Sequence, residues 1–545
     1  RTNLDLQCPC IRCKQAVCKC LTGNTRYNMS YQTIEASTAD ELQAGTWNAR
    51  ARDTLSEHLD AWHGVSTARS AVLVVGGGMS LHTLRASRAY MGQALMKETP
   101  LDFENFPITG MVKTYCVDSQ MGDAACTATS YLRGVKGRAG VVGAPASGAA
   151  SHCGIVTTSS VTQASVAGSY GHSSLSSWQS DADIEQADID QTDCPDLAYQ
   201  LIHKHPGNKF KVILGGGREN FQPTTTNVQG RRKDKKNLVT EWTNDKVNKK
   251  ITSQFVSTIQ ELSKVANTTE TLLGLFSPGA MEYHISANAS QPTIEEMTEA
   301  AIKVLSKNEK GFFLFVFGGR INDAHNENKA RIAVDETIEL NKAVRKVSEM
   351  TNPSETLMVV TADHAHTMTL SGYASRWNDI FGEALPPTDD KDTDGFPYLS
   401  INYGNGPGFR KRNQQGLRTH VVREQKYLNR KFTVFKLSLS RTWRRRIFPL
   451  ESGTSGAEDV ALFARGPSQH LFTGVFEQYL IPHLMAYSMC IGPGITACHN
   501  ATSDMSPPLL PSTEGKSPYK VKKSSSAVAN LSSVCFVIII FNLVF

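Results

Sequence analysis

The run Thr356-Leu-Met-Val-Val360, continued without a break by Thr361-Ala362-Asp363-His364-Ala365-His366, decides how this chain is read. A short β-rich segment that ends in one carboxylate and two imidazoles predicts a buried strand delivering polar groups at its C-terminal end. In open parallel sheets that is the end at which ligands bind. Asp oxygens and His nitrogens together suit Zn²⁺. The other reading is a surface loop with incidental histidines.

Outward from that strand the same design recurs. Ala71–Val75 is an apolar run closed by Gly76, Gly77 and Gly78, where missing side chains let backbone approach a ligand closely. Val212–Leu214 followed by Gly215, Gly216 and Gly217 repeats it, and Phe312–Val316 is a further buried strand. Helical patterns lie between them. Thr293 and Glu296 have capping-box spacing and open an amphipathic helix with Met297, Ala300, Ala301, Val304 and Leu305 on one face. A second helix is expected from Glu327 to about Val347, and a polar, helix-capable stretch over Trp47–Leu59. Strands alternating with helices predict an α/β fold: a central, mostly parallel sheet covered by helices on both faces. Residues 375–450 break the rhythm and read as a peripheral inserted region.

With 545 residues the chain can bury a large core, as several domains or as one α/β unit with insertions. Its net charge of +6 is unevenly placed. Between Arg410 and Arg446 stand thirteen Lys/Arg and the single acid Glu424, a balance of +12, so the remainder is net −6. The basic excess is thus local and is no global nucleic-acid footprint. The segment reads either as a solvated insertion or as a patch for an anionic partner.

The two ends differ from the middle. Residues 1–46 read as an irregular arm in which Cys8, Cys10, Cys13, Cys18 and Cys20 crowd together; the cluster could bind metal or pair internally, and its spacing matches no well-founded zinc site. Residues 506–545 read as a linker followed by the apolar tail Val534–Phe545, which is too short to span a bilayer. Small residues Ser524–Ala527 and a short spacer precede that tail, the pattern of a lipid-attachment (GPI) signal. Asn28, Asn267, Asn288, Asn500 and Asn530 each begin an N-x-Ser/Thr sequon and fit a secretory route. Cys490 and Cys498 close a short loop and are candidates for a local disulfide in an oxidising compartment.

From Trp47 to the tail, these motifs in this order resemble the vertebrate membrane-bound alkaline phosphatases. The matching blocks are Val75–Met79, Lys113–Tyr115, Asp123–Tyr131, Arg133–Lys136, Ile155–Thr158, Ser180–Asp183, Leu214–Arg218, Met297–Ala300, Gly311–Val316, Thr361–His364, Tyr403–Gly408 and Glu458–Pro467. The resemblance implies one alkaline-phosphatase-like domain over 47–505, a homodimer, and a lipid anchor on the outer face of the cell membrane. It also implies hydrolysis of phosphate monoesters at two Zn²⁺ and one Mg²⁺. In that chemistry two metal ions about 4 Å apart clamp the attacking and leaving oxygens. A serine alkoxide takes the phosphoryl group at a helix N-terminus, and an arginine grips it bidentately.

Residue by residue, the resemblance assigns few of those groups to this chain. The nucleophile position, beside Asp123, is Ala124, and the phosphate-arginine position is Ser176. A serine cannot stand in for a planar cationic fork. Metal-ligand positions hold Gly77, Phe317, Asn322, Asn326 and Ser455, none of them an acid or imidazole. Asp363, His364 and Ser165 are retained, with His366 nearby; Ser277 and Gln291 stand where a peripheral calcium site has acids. The stretch between Lys136 and Ile155 is shorter than in the family, and Cys153 becomes a candidate partner for Cys194. The expectation is a family member without phosphatase chemistry. Its alternatives are an active phosphomonoesterase with rearranged metals, or the product of a decaying gene.

Overall fold

The structure is a computed structural model and describes residues 43–60, 67–143, 153–187, 194–224, 229–384, 399–408 and 448–492. The cysteine-rich arm with Asn28, the basic segment 410–446, Cys498, Asn500, Asn530 and the apolar tail lie outside the described residues. The chain divides into two units, 1–499 and 500–545, and all the described residues belong to the first.

Ten strands make the main sheet: β1 Ser70–Gly76, β2 Ile108–Lys113, β3 Cys153–Ser160, β4 Val212–Gly216, β5 Ser253–Val256, β6 Thr271–Leu275, β7 Phe313–Gly318, β8 Thr356–Ala362, β9 Val460–Arg465 and β10 Gly474–Glu477. Their order is β10-β2-β9-β8-β1-β7-β3-β4-β6-β5. Only β9 runs antiparallel to its neighbours β2 and β8. β1 lies at the centre, its seven residues all buried, between β7 and β8. A strand buried on both faces needs apolar residues at consecutive positions, which the sequence Ser-Ala-Val-Leu-Val-Val-Gly supplies.

Helices flank the sheet and its C-terminal edge, among them α1 Ala44–Asp60, α2 Leu81–Gln93, α3 Ala124–Arg133, α4 Ile294–Leu305, α5 Gly319–Asn326 and α6 Ala330–Met350. The capping box at α4 is formed: Glu296 N–H donates to Thr293 Oγ1 (3.2 Å), and Thr293 N–H to Glu296 Oε2 (2.7 Å). Its inner face carries Ile294, Met297, Ala301, Ile302, Val304 and Leu305; Ala300 is only half-buried. The helix expected from Glu327 is found as α6, which begins three residues later; the preceding helix α5 was not foreseen. α5 begins directly at the end of β7, and α6 follows after Asn328, whose positive φ of 56° breaks the run. Strand β7 extends past Val316 to Gly318 because its pairing with β1 continues to Gly76↔Gly318. Within 375–450 the described parts pair outside the main sheet, Ile401–Tyr403 against Met368–Leu370.

Three strand ends therefore coincide. Gly76 of β1 stands in register with Gly318 of β7 on one side and Ala362 of β8 on the other. The residues beyond each strand, Gly77–Gly78, α5 and Asp363–His366, meet at the C-terminal edge of the sheet centre. The strand-end placement expected for Asp363 and His364 is found there.

Candidate functional site

Asp363 and His364 are both buried just beyond β8. Gly78 adopts a left-handed turn (φ +64°), which aims its N–H at Asp363 Oδ1 (2.8 Å). The N–H of His364 reaches the same oxygen at 2.8 Å. Ser165, in the short helix Ala164–Ala167, donates its hydroxyl to Asp363 Oδ2 (3.2 Å). The carboxylate thus accepts three internal hydrogen bonds. His364 Nδ1 donates to Ala365 O (2.8 Å), and Nε2 stands 3.7 Å from Asp363 Oδ1.

The other imidazoles at this edge use both ring nitrogens. His366 Nδ1 accepts from Thr367 N–H (3.0 Å), so Nε2 carries the proton and donates to Asn326 Oδ1 (3.1 Å). His325 on α5 bonds Tyr403 OH (2.8 Å) and Thr83 Oγ1 of α2 (3.0 Å), and its ring stacks on His366 with centroids 5.0 Å apart. Burial, and then His364, push His325 down to about 3, so it is neutral at physiological pH. Sequence reading missed the His325–Tyr403–Thr83 connection, since the three lie far apart in the chain.

The remaining implied ligand positions surround no common point with donors. Gly77 has no side chain, and the place where a Cβ would stand lies 3.0 Å from Asn322 Cβ and 3.2 Å from Phe317 Cζ. Phe317 is buried and its ring stacks on Phe315. Asn322 and Asn326 are half-buried on α5. Ser455 pairs by backbone with His366. Among the described residues, the only three His, Cys, Asp or Glu groups whose ligand atoms converge are Cys116, Asp123 and Cys126. Two of those sulfurs are bonded to each other. Zinc takes three or four protein ligands, whereas Asp363 and His364 are two. The side chains present do not fit a two-zinc, one-magnesium centre.

The nucleophile position is built differently as well. Ala124 is the first residue of α3 and is half-buried. Asp123 caps the helix, its Oδ1 accepting from Cys126 N–H (2.8 Å) and its Oδ2 from Gly140 N–H (2.7 Å). A carboxylate of the chain itself therefore occupies the anion-favouring end of the helix. Thr127 hydroxyl is engaged with Asp123 O (2.6 Å). Ser176 lies close by through Gly140, whose carbonyl accepts its N–H (2.9 Å), but it brings no charge.

The cysteines add one unforeseen pairing and correct one expectation. Cys116 and Cys126 form a disulfide that fastens the first turn of α3 to the segment after β2, a pairing the sequence reading did not consider. Cys153 is a free buried thiol and Cys194 is disulfide-bonded, so the two are not partners. Cys490 is disulfide-bonded, with Cys498 outside the described residues. Burial pushes the Cys153 thiol up to about 12. Iodoacetamide is accordingly expected to leave Cys153 unlabelled in the native protein and to label it after denaturation. Peptide mapping should recover the Cys116–Cys126 cross-link, and native labelling of either residue would contradict it. Asn267 and Asn288 are both exposed.

The comparisons with known proteins agree with this architecture. The family model described as alkaline phosphatase matches residues 68–491. The membrane-bound alkaline phosphatase of Bombyx mori is 38% identical over 503 residues, covering 85% of this chain and 88% of that protein. The tissue-nonspecific alkaline phosphatase of Rattus norvegicus is 36% identical over 503 residues, covering 86% and 92%. Among solved structures, the alkaline phosphatase of Thermus thermophilus superposes with a TM-score of 0.54 at 21% identity, over 77% of this chain and 91% of that one. A matched span of this length, together with relatives above 35% identity, places the chain in the alkaline phosphatase family.

Proposed function

We propose that this chain is a non-catalytic member of the alkaline phosphatase family, a folded cell-surface protein that does not hydrolyse phosphate monoesters. One observation carries the reading. At the start of α3, where the family reaction needs an oxygen nucleophile, the side chain is the methyl of Ala124. The neighbouring hydroxyl of Thr127 is turned back onto its own helix backbone. The two-ligand set of Asp363 and His364 supports the same conclusion, because without a metal pair no Lewis acid activates a nucleophile or neutralises the leaving oxygen.

The test is turnover of a chromogenic phosphate monoester at alkaline pH by the full-length protein, supplied with Zn²⁺ and Mg²⁺, beside an active membrane-bound relative. Hydrolysis at the relative's rate ends the proposal. The rival reading, an active enzyme with rearranged metals, requires that hydrolysis.

The cellular part of the reading is an exported, N-glycosylated, lipid-anchored homodimer. Among the described residues no helix is long and apolar enough to cross a membrane. Treatment of expressing cells with a phosphatidylinositol-specific phospholipase is expected to release the protein into the medium. Retention on the membrane after complete digestion of a control anchored protein counts against the anchor.

A further inference from the structure

We infer that Gly77, Phe317 and Asn322 are closely packed, the aromatic ring and the glycine matched to each other, so that this corner of the cleft is filled space and not a damaged ion site. The inference rests on the metal-free reading above and extends it from missing ligands to what has taken their space.

All three residues stand at positions where the family resemblance implies metal ligands. In this chain the space where a side chain of residue 77 would begin is bordered by the other two. A Cβ on Gly77 would meet Asn322 Cβ at 3.0 Å and Phe317 Cζ at 3.2 Å, both closer than ordinary van der Waals contact. The Phe317 ring is almost fully buried at the end of β7 and packs on Phe315, itself in contact with Tyr131 of α3. Gly77 N–H donates to Gly318 O (3.1 Å), which holds the end of β1 against the start of α5. The two chain segments are thus drawn together over a residue that has no side chain.

Simple loss of ligands leaves a different signature. An acid replaced by glycine, beside a glutamate replaced at random, leaves loosely packed polar space. A phenyl ring filling the hollow above the glycine is the kind of complementarity that stabilises a core. The pairing also means that a side chain at 77 would press on Phe317 Cζ and Asn322 Cβ, which must shift to admit it. It gives the fold a reason to be stable without divalent ions.

A double-mutant cycle in the full-length protein tests this, read as thermal midpoints. Gly77→Ala is expected to lower the midpoint by about 2 °C or more in the wild-type background. In the Phe317→Ala background, where the ring contact is gone and only that with Asn322 Cβ remains, the same substitution should cost measurably less. An equal loss in both backgrounds overturns the pairing. Gly77→Asp alone should hold no more Zn²⁺ or Mg²⁺ than the wild type; a full equivalent of metal in that single variant also overturns it. The outcomes separate from those of the functional reading. Ester turnover by the wild type defeats the functional proposal whatever the cycle shows, whereas an inactive protein without coupling defeats only the pairing.

Discussion

Full-length protein supplied with Zn²⁺ and Mg²⁺ is expected to turn over a chromogenic phosphate monoester on the order of 10⁶-fold more slowly than an active family member, the scale seen when a serine hydrolase loses its nucleophile. The deficit has several independent sources at one site. Ala124 offers no oxygen, and Thr127 points its hydroxyl at Asp123 O. Ser176 stands at the position where the family resemblance implies a phosphate-binding guanidinium, and the Asp123 carboxylate already sits across the start of α3. Because the parts act as a unit, restoring one does not restore turnover. Ala124→Ser is expected to remain within about tenfold of the wild type, since a serine without a metal or a base is a weak nucleophile at its own pKa. Recovery of substantial activity in that single variant would mean that metal ions bind after all.

The largest stability effect is expected far from the cleft, at Arg232. Its side chain is 1% exposed and is held by two carboxylates: NH1 and NH2 donate to Asp196 (3.1 and 3.0 Å), and Nε and NH2 to Asp234 (3.1 and 2.7 Å). Asp181, equally buried, approaches Nε at 3.6 Å and accepts the N–H groups of Lys233 and Asp234. One guanidinium thus sits among three acids. Arg232→Ala leaves Asp196 and Asp181 buried without this counter-charge, and removing one partner of a buried ion pair costs about 3–5 kcal/mol. Arg232→Lys should recover only part of that, because an ammonium cannot reach both carboxylates with a planar fork. Urea unfolding measures both. A loss under about 1 kcal/mol for the alanine variant would show that the cluster is better solvated than its burial suggests.

This cluster bears on whether the chain is a relic. A decaying gene accumulates substitutions without regard to burial. Here Arg232 is paired with buried acids, β1 is buried throughout, and Phe317 fits over Gly77. That combination fits the proposal of a chain that folds without catalysing.

Much of the fold was legible because it is local. The apolar runs at Ala71–Val75, Val212–Leu214 and Phe312–Val316 became strands of the main sheet, and Thr293 with Glu296 marked the start of α4. Hydrogen bonding between strands was not legible. It carried β7 on to Gly318 and turned β9 antiparallel between β2 and β8, and neither depends on residues near in sequence. At the site, the strand-end position of Asp363 and His364 followed from a β-rich run ending in ligand-type residues. The Cys116–Cys126 disulfide did not follow, because a spacing of ten residues says nothing about whether the first turn of a helix faces the segment before it. Nor did the contact of Phe317 with Gly77, which requires β1 and β7 to be known neighbours. The pairing offered for Cys153 failed on the same ground: the thiol lies buried and unpaired at the start of β3.

The most direct measurement is the divalent-metal content of full-length protein, purified without chelators from cells grown with ample zinc and magnesium and assayed by elemental mass spectrometry beside an active relative. The expected result is no stoichiometric zinc or magnesium in this chain, with the relative loaded. Two equivalents of tightly held zinc per chain would contradict the account.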